Sequence, residues 1–528
     1  MAGTDKTDPA KADAWSYVDG RRADLSRWHR EIWDFAEPAW REYRSAAWYA
    51  DLLRREGFAV EEGSGGMPTA FSATWSNGDG PTLLTYAEYD AVPGNCQAAS
   101  TERGPRDGLS RFAPGHTDPH SALGLGTLGA VLAAKHAMTR HGIGGTIRYT
   151  GEPAEKVQGS KVVHGLHGYY DNVDAIISFH PFYMLPLCNT VRWDTHCGAY
   201  YSRIYTFTCD EPHTWGVAAP ESPIPASHSA ARAPGADAAL TTMLQLSKTT
   251  QDAMAPAFGG WSLSEAVLTA GQATADNLPA GIAQVQYSWR CPDIETAEQV
   301  TRVLDANAEA AARTAHCDLR TRWVARNRPG LANHAMAELT YRNLEQVGPP
   351  AYGPEAVEVA NRIRENLGLP RTERPLLAEC ERLIEPREAE AGLRQVIPPS
   401  QHNWTSDDYV EMTWYAPTVR LYIARPALAP APDGRPHPAW AMNAMGGIPE
   451  TIDPTVTCAA KTIAGTLLDL MRDPGALEAA RREFDERREG GPGPLLPADF
   501  TAPVDYRWPE YVTTARGTDW WIPSNPEF

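Results

Sequence analysis

The sequence predicts an α/β protein: a mainly parallel sheet flanked by helices, with a smaller α+β unit inserted into it. Two patterns carry this. Between residues 82 and 179, compact apolar runs alternate with helical periodicity, as parallel strands joined by crossover helices do. Between 199 and 315 the chain runs strand, helix, strand, helix with half-exposed strands, as in an antiparallel sheet covered on one face. The length of 528 residues exceeds one ordinary core, so two domains are expected.

Taken in order, residues 16–57 read as two helices. Trp28, Ile32 and Phe35 recur at helical spacing, and then Trp48, Leu52 and Leu53 do so. Pro38 separates them, Gly57 ends the second, and Phe58-Ala59-Val60 opens a strand. TLLTY at 82–86 is a buried strand, 123–136 a helix, 146–150 a strand, 160–168 a helix and 175–179 a strand. In the second block, 199–209 alternates as a strand, 236–251 is helical, 284–290 is a strand and 294–315 a helix. Helices at 331–347 and 354–367, a strand at 419–424 and a helix at 454–471 return to the first unit. The Pro/Gly-rich stretches 216–235 and 426–438 read as loops. The tail after Gly490, rich in Pro, Trp and Gly, is expected to wrap the surface.

The formal net charge of −18 argues against a nucleic-acid partner, which would require basic patches. No apolar stretch is long enough to cross a bilayer, so no membrane role is expected. The opening residues MAGTDKTDPAKADAW lack the apolar core of a secretory signal, and a cytoplasmic location is expected. The eight cysteines form no CxxC pair, which predicts buried free thiols rather than a zinc ribbon or redox motif.

Three segments carry candidate chemistry at strand ends, where parallel sheets place ligand sites. In Gly115-His116-Thr117-Asp118-Pro119-His120, two imidazoles and a carboxylate at alternate positions suit a cation, although a polar loop with Asp118 as helix cap has the same composition. In Gly151-Glu152-Pro153-Ala154-Glu155-Lys156, a carboxylate after a strand suits a general base or a solvated turn. His180, before Pro181, reads equally as a ligand or as a loop histidine.

The order of the motifs resembles the metallopeptidase and amidohydrolase family of the aminoacylase and carboxypeptidase G type, in its aminobenzoyl-glutamate hydrolase branch. Glu88 to Gly94 resembles the EYDALPG segment. DPH followed by SALGLGTLGA resembles the CGH motif and its helix, GGTIRYTGEPAEK the GGTVRF…PxEE strand, and DNVDAIISFHP the DDVDAxxxWHP strand. Ser227-His228-Ser229-Ala230 with Gly235 to Ala238, then Asn277 with Arg290-Cys291-Pro292, and finally Pro436 to Trp440, resemble later motifs of the family.

The resemblance implies a phosphorylase/hydrolase-like catalytic domain at 1–194 and 325–528 with a mixed, mainly parallel sheet. It also implies a ferredoxin-like α+β lid at 195–324 that mediates a homodimer. It implies a divalent metal, zinc or manganese, held by Asp118, His120, His180 and His437. Glu155 would be the general base. His228 would reach the partner subunit's site, and Asn277 and Arg290 would meet a substrate carboxylate. The implied reaction is hydrolysis of an amide C–N bond in an N-acyl or aminobenzoyl amino acid or a small peptide-like amide. Hydrolytic deamination of an aromatic or heterocyclic amine is a second possibility on the same scaffold.

One position departs from the family. Its second adjacent glutamate, a metal ligand, is Lys156 here. An ammonium has three donors and no acceptor, so it cannot ligate. Two unit charges about 4 Å apart repel by roughly 4 kcal/mol at an effective dielectric near 20, and a dication would feel about twice that. One ion per chain is therefore expected, with Lys156 partly replacing the other cation. His437 would then be released, and His116 would be either a substitute ligand or an ordinary loop residue. Lys156 also motivates the opposite reading, a non-catalytic binding relative.

Overall fold

The computed structural model describes residues 8–182, 184–210, 235–255, 260–271, 280–515 and 517–520. The chain opens with α1 (Pro9–Gly20), α2 (Arg22–Phe35) and α3 (Tyr43–Arg55). There follow β1 (Ala59–Glu62), β2 (Phe71–Ser76), β3 (Thr82–Ala87), α4 (His120–His141), β4 (Thr146–Gly151), α5 (Ser160–Leu166), β5 (Ala175–Pro181) and β6 (Thr190–Val191). A second unit contains β7 (Ala199–Thr208), α6 (Ala236–Met254), β8 (Ser262–Thr269), β9 (Ile282–Cys291), α7 (Ile294–Ala315) and β10 (Asp318–Asn327). The chain then returns through α8 (His334–Val347), α9 (Pro354–Asn366), α10 (Pro386–Arg394), α11 (Tyr409–Met412), β11 (Thr418–Ile423), α12 (Ala439–Met445), α13 (Pro449–Arg472) and α14 (Pro474–Arg488). The last described elements are β12 (Tyr511–Thr514) and β13 (Gly517–Trp520), which pair as a hairpin.

The larger sheet has the order β1-β2-β4-β3-β5-β11-β6. Its inner strands β4, β3, β5 and β11 are parallel, and β1, β2 and β6 join antiparallel at the edges. Parallel strands are covered on both faces, and this is why β5 and β11 are mostly apolar and are buried at every residue, Arg420 of β11 included. The register pairs Ala87 with Gly151 and His180 with Tyr422, so the carboxyl ends of β3, β4, β5 and β11 share one edge. The mixed, mainly parallel α/β architecture expected from the sequence is the one observed.

Helix α4 brings the first turn of its backbone close to that edge. It can do so because a Cβ on Gly124 would stand 2.2 Å from the Tyr49 hydroxyl oxygen and 3.0 Å from the Glu88 carbonyl oxygen. On the same helix Gly126 and Gly129 face Ala459 and Ala460 of α13, letting two buried helices approach at small residues. The second sheet is wholly antiparallel in the order β10-β7-β9-β8, with βαββαβ connectivity. Its apolar face, including Tyr201, Tyr205, Val285 and Trp289, packs on α6 and α7. The opposite face is polar, with Gln286 donating to Ser202 at 2.7 Å and the Tyr200 hydroxyl donating to Ser288 at 3.0 Å.

Three sequence expectations need correction. Helix α13 starts at Pro449 rather than Pro454, which falls inside it. The tail does more than wrap the surface: Leu496, Phe500, Ala502 and Trp508 are buried with Trp40, Met67, Ile204 and Val324. Helices α1, α10, α11, α12 and α14 and strands β2, β6, β8, β10, β12 and β13 are additions to the elements expected. The reason is clearest for β8, whose residues are exposed or half-buried throughout and show no alternation, and for α14, where only Ala480 and Phe484 are buried. Seven of the eight cysteines are buried, Cys317 is half-buried, and all are free thiols. Among the described residues no helix is long and apolar enough to cross a membrane.

Gly124→Ala is expected to destabilise the protein by roughly 1–3 kcal/mol, because Tyr49 and the end of β3 must both shift. Urea unfolding measures this, and an unchanged midpoint would contradict the close approach.

Candidate active site

Directly after β3 the chain carries Glu88-Tyr89-Asp90. Glu88 and Asp90, two residues apart, both turn to His120, the first residue of α4. The His120 Nδ1–H donates to Asp90 Oδ1 at 2.6 Å, which leaves Nε2 pointing into the cluster. Glu88 Oε2 stands 3.3 Å from that Nε2. After β4, the Lys156 backbone N–H donates to Asp90 Oδ2 at 2.8 Å, so one carboxylate ties α4 to the segment after β4.

The Lys156 ammonium lies at the centre of this arrangement. It donates to Asp118 Oδ1 at 2.7 Å, to His120 Nε2 at 2.9 Å and to Glu155 Oε2 at 3.4 Å. The other Asp118 oxygen, Oδ2, is 3.5 Å from His180 Nε2 and 3.8 Å from His120 Nε2. His180 donates its Nδ1–H to the Pro181 carbonyl at 2.5 Å, which orients the ring. Behind the cluster, the fully buried Lys161 donates to Glu88 Oε1 at 2.7 Å and to Asp408 Oδ1 at 2.6 Å. Arg420 pairs with Asp407 and donates to the Tyr86 hydroxyl at 2.9 Å and the Ser178 hydroxyl at 2.7 Å.

Burial and charge set the protonation of these groups. Burial pushes the Glu155 carboxyl up to about 7, helped by Glu88 and opposed by Lys156 and His120. Burial also works against the Asp118 carboxylate, but the Lys156 ammonium bonded to it holds it well below the usual range. For Lys156, burial is overcome by Asp118, Glu155 and Asp90, which keep the ammonium charged. Burial and the Lys156 ammonium oppose charge on His120, while Glu88 and Asp90 favour it. With Lys156 charged and 2.9 Å away, Nε2 is the unprotonated nitrogen, the form that accepts and can ligate. Burial and Arg420 keep His180 neutral, the form that can ligate.

The donor set fits one cation. A tetrahedral ion with bonds of about 2.1 Å has ligand–ligand edges of about 3.4 Å. The observed spacings are 3.3 Å for Glu88–His120, 3.5 Å for His180–Asp118 and 3.8 Å for His120–Asp118. Ligand atoms of Glu88, His120 and His180 all lie within 4.8 Å of one another, and Glu88 Oε2 is a buried acceptor with no hydrogen bond. Such an atom, a neutral imidazole and a carboxylate edge suit a divalent ion.

Of the residues singled out in the sequence, Asp118, His120, His180, Glu155 and Lys156 come together here. His437 does not join them: it is half-buried, and its Nε2 donates to the Ala429 carbonyl at 2.8 Å. His116 is buried, kept neutral by that burial with its pKa pushed down to about 3, and belongs to none of the candidate ligand groups. Arg290 lies on β9 with its guanidinium 5.4 Å over the Tyr200 ring, on the polar face of the second sheet. The buried Tyr200 lies within electrostatic reach of both Arg290 and Glu155. His228 and Asn277 lie outside the described residues. Sequence reasoning assigns no role to Glu88, Asp90, Lys161, Asp407, Asp408 or Arg420. For Glu88 and Asp90 a signal is present, two acidic residues in alternation immediately after a buried strand. For the other four, no local pattern marks them.

The fold brings a buried cluster of carboxylates and imidazoles, suited to a divalent cation, to the carboxyl edge of the parallel strands. No family model matches the chain. It is 24% identical over 466 residues to one of the subunits of p-aminobenzoyl-glutamate hydrolase from Escherichia coli (strain K12), covering 86% of this chain and 91% of that protein. The crystal structure of an aminobenzoyl-glutamate utilization protein from Klebsiella pneumoniae matches with a TM-score of 0.52 at 15% identity, over 88% of this chain and 99% of that one. That second likeness is one of fold. The resemblance implied by the motifs is thus found along most of the chain.

Asp90→Asn is expected to weaken divalent-cation affinity by about 10- to 100-fold, since Asp90 holds the tautomer and orientation of His120. Titration calorimetry with Zn²⁺ or Mn²⁺ reads this directly. Wild-type affinity in the variant would show that His120 is not a ligand.

Proposed function

We propose that the protein hydrolyses the amide C–N bond of an N-acyl or aminobenzoyl amino acid or a small peptide-like amide. The observation that carries this reading is Glu155: a buried carboxylate beside a cation-fitting donor set, with its pKa brought up to about 7. A general base is most effective when its pKa lies near the working pH. Glu155 takes a proton from the attacking water and returns it to the departing amine. Lys156 and His120 flank the Glu155 carboxylate and hold it in the cluster.

One zinc or manganese ion, held by Glu88, His120 and His180 beside Asp118, supplies Lewis acidity to the amide carbonyl and to water when bound. Arg290 suits a substrate carboxylate, because its guanidinium is a planar two-pronged donor. His228 and Asn277 complete the substrate contacts in this reading. Residues 1–194 and 325–528 form the catalytic domain, and 195–324 act as the lid and as the contact surface of a homodimer. The similarity to the E. coli hydrolase supports the substrate class.

The test is release of the free amine from 4-aminobenzoyl-glutamate and from N-acyl amino acids. Glu155→Gln is expected to lower kcat by about 10²- to 10⁴-fold with little change in KM. Because the base works as its carboxylate, wild-type kcat/KM should rise with pH through about 7. A Glu155→Gln variant with wild-type turnover would contradict the assignment, and release of ammonia without an amino acid would point to deamination.

A further inference from the structure

The geometry points to Lys156 as a built-in second cation: its ammonium occupies the position of a second metal ion, and Asp118 bridges it to the single true metal position. This inference rests on the metal-dependent reading above.

The two oxygens of Asp118 divide their work. Oδ2 faces His180 at 3.5 Å and His120 at 3.8 Å, along the edge of the donor set that fits a divalent ion. Oδ1 faces the other way and accepts from Lys156 Nζ at 2.7 Å. A carboxylate shared in this manner is what a two-cation centre needs at its middle. The ammonium has three N–H donors, and three acceptors surround it: Asp118 Oδ1, His120 Nε2 at 2.9 Å and Glu155 Oε2 at 3.4 Å. Nitrogen–acceptor distances of this size leave no room for a metal ion in the same place, where bonds would be about 2.1 Å. His120 Nε2 faces both positions, so an ion bound there leaves the ammonium to the two carboxylates.

Glu88 explains how the remaining metal position keeps enough charge. Its Oε1 is held by the buried Lys161, and Oε2 is turned to His120 Nε2 at 3.3 Å without a hydrogen bond of its own. A carboxylate thus stands beside the imidazoles, although the glutamate expected after Glu155 is a lysine. Lys161 is a positioning residue for it.

The experiment compares wild type, Lys156→Glu and Lys156→Met, each purified without chelator and loaded with Mn²⁺. Bound metal is counted by mass spectrometry, spin coupling is read by electron paramagnetic resonance, and folding is checked by thermal unfolding. The expected result is one ion per wild-type chain with an uncoupled Mn²⁺ spectrum. Lys156→Glu should take up a second ion and show a coupled spectrum. Lys156→Met should keep one ion but bind it roughly tenfold more tightly or better, because the like charge is gone. Should Lys156→Glu fail to fold, Lys156→Met decides: affinity equal to or weaker than wild type overturns the inference. Two ions in the wild type, or one uncoupled ion in a folded Lys156→Glu, also overturn it while leaving metal-dependent hydrolysis standing. Turnover with no bound cation in any of the three proteins overturns the underlying reading as well.

Discussion

The contact between the Lys156 ammonium and Asp118 sets the charge balance of the whole cluster. Buried Glu88, Asp90 and Glu155 converge with half-buried Asp118, and unpaired carboxylates there would repel one another. Placing a permanent cation among them compensates the charge at all times, whether or not a metal is bound. The same ammonium limits how many metal ions the site can take. The position of one side chain therefore governs both the stability of the apo cluster and its chemistry.

The surroundings repeat this device at greater depth. Lys161 links Glu88 to Asp408, and Arg420 links Asp407 to Tyr86 and Ser178, all with negligible exposure except Asp407 at 5%. Buried ion pairs add little net stability compared with apolar packing, but removing one member leaves a strongly unfavourable charge behind. Their value here lies in orientation. Glu88 is turned by Lys161, His120 by Asp90 and His180 by the Pro181 carbonyl. Each ligand candidate thus has a partner that fixes its direction, which is how second partners tune metal sites generally.

Much of the fold could be read from residue patterns, because burial on both faces writes parallel strands as continuous apolar runs, as in AIISF and TLLTY. Strands with weak patterning, such as the exposed β8, could not. The site was legible where a motif is local: Asp118 and His120 lie two residues apart, and Glu155 and Lys156 are adjacent. It was not legible where groups come from distant segments. Asp408 meets Lys161, and Asp407 meets Arg420 of β11, only because β11 lies beside β5 in the sheet. His437 shows the limit from the other side, since a matching motif placed it near the metal while its ring is bonded to Ala429.

The most direct test of the account is anomalous diffraction from crystals of the wild-type protein grown with Mn²⁺. The account predicts a single anomalous peak per chain among Glu88, His120 and His180, with the Lys156 side chain still seated on Asp118 Oδ1. Two peaks bridged by Asp118, with Lys156 turned away, would contradict it.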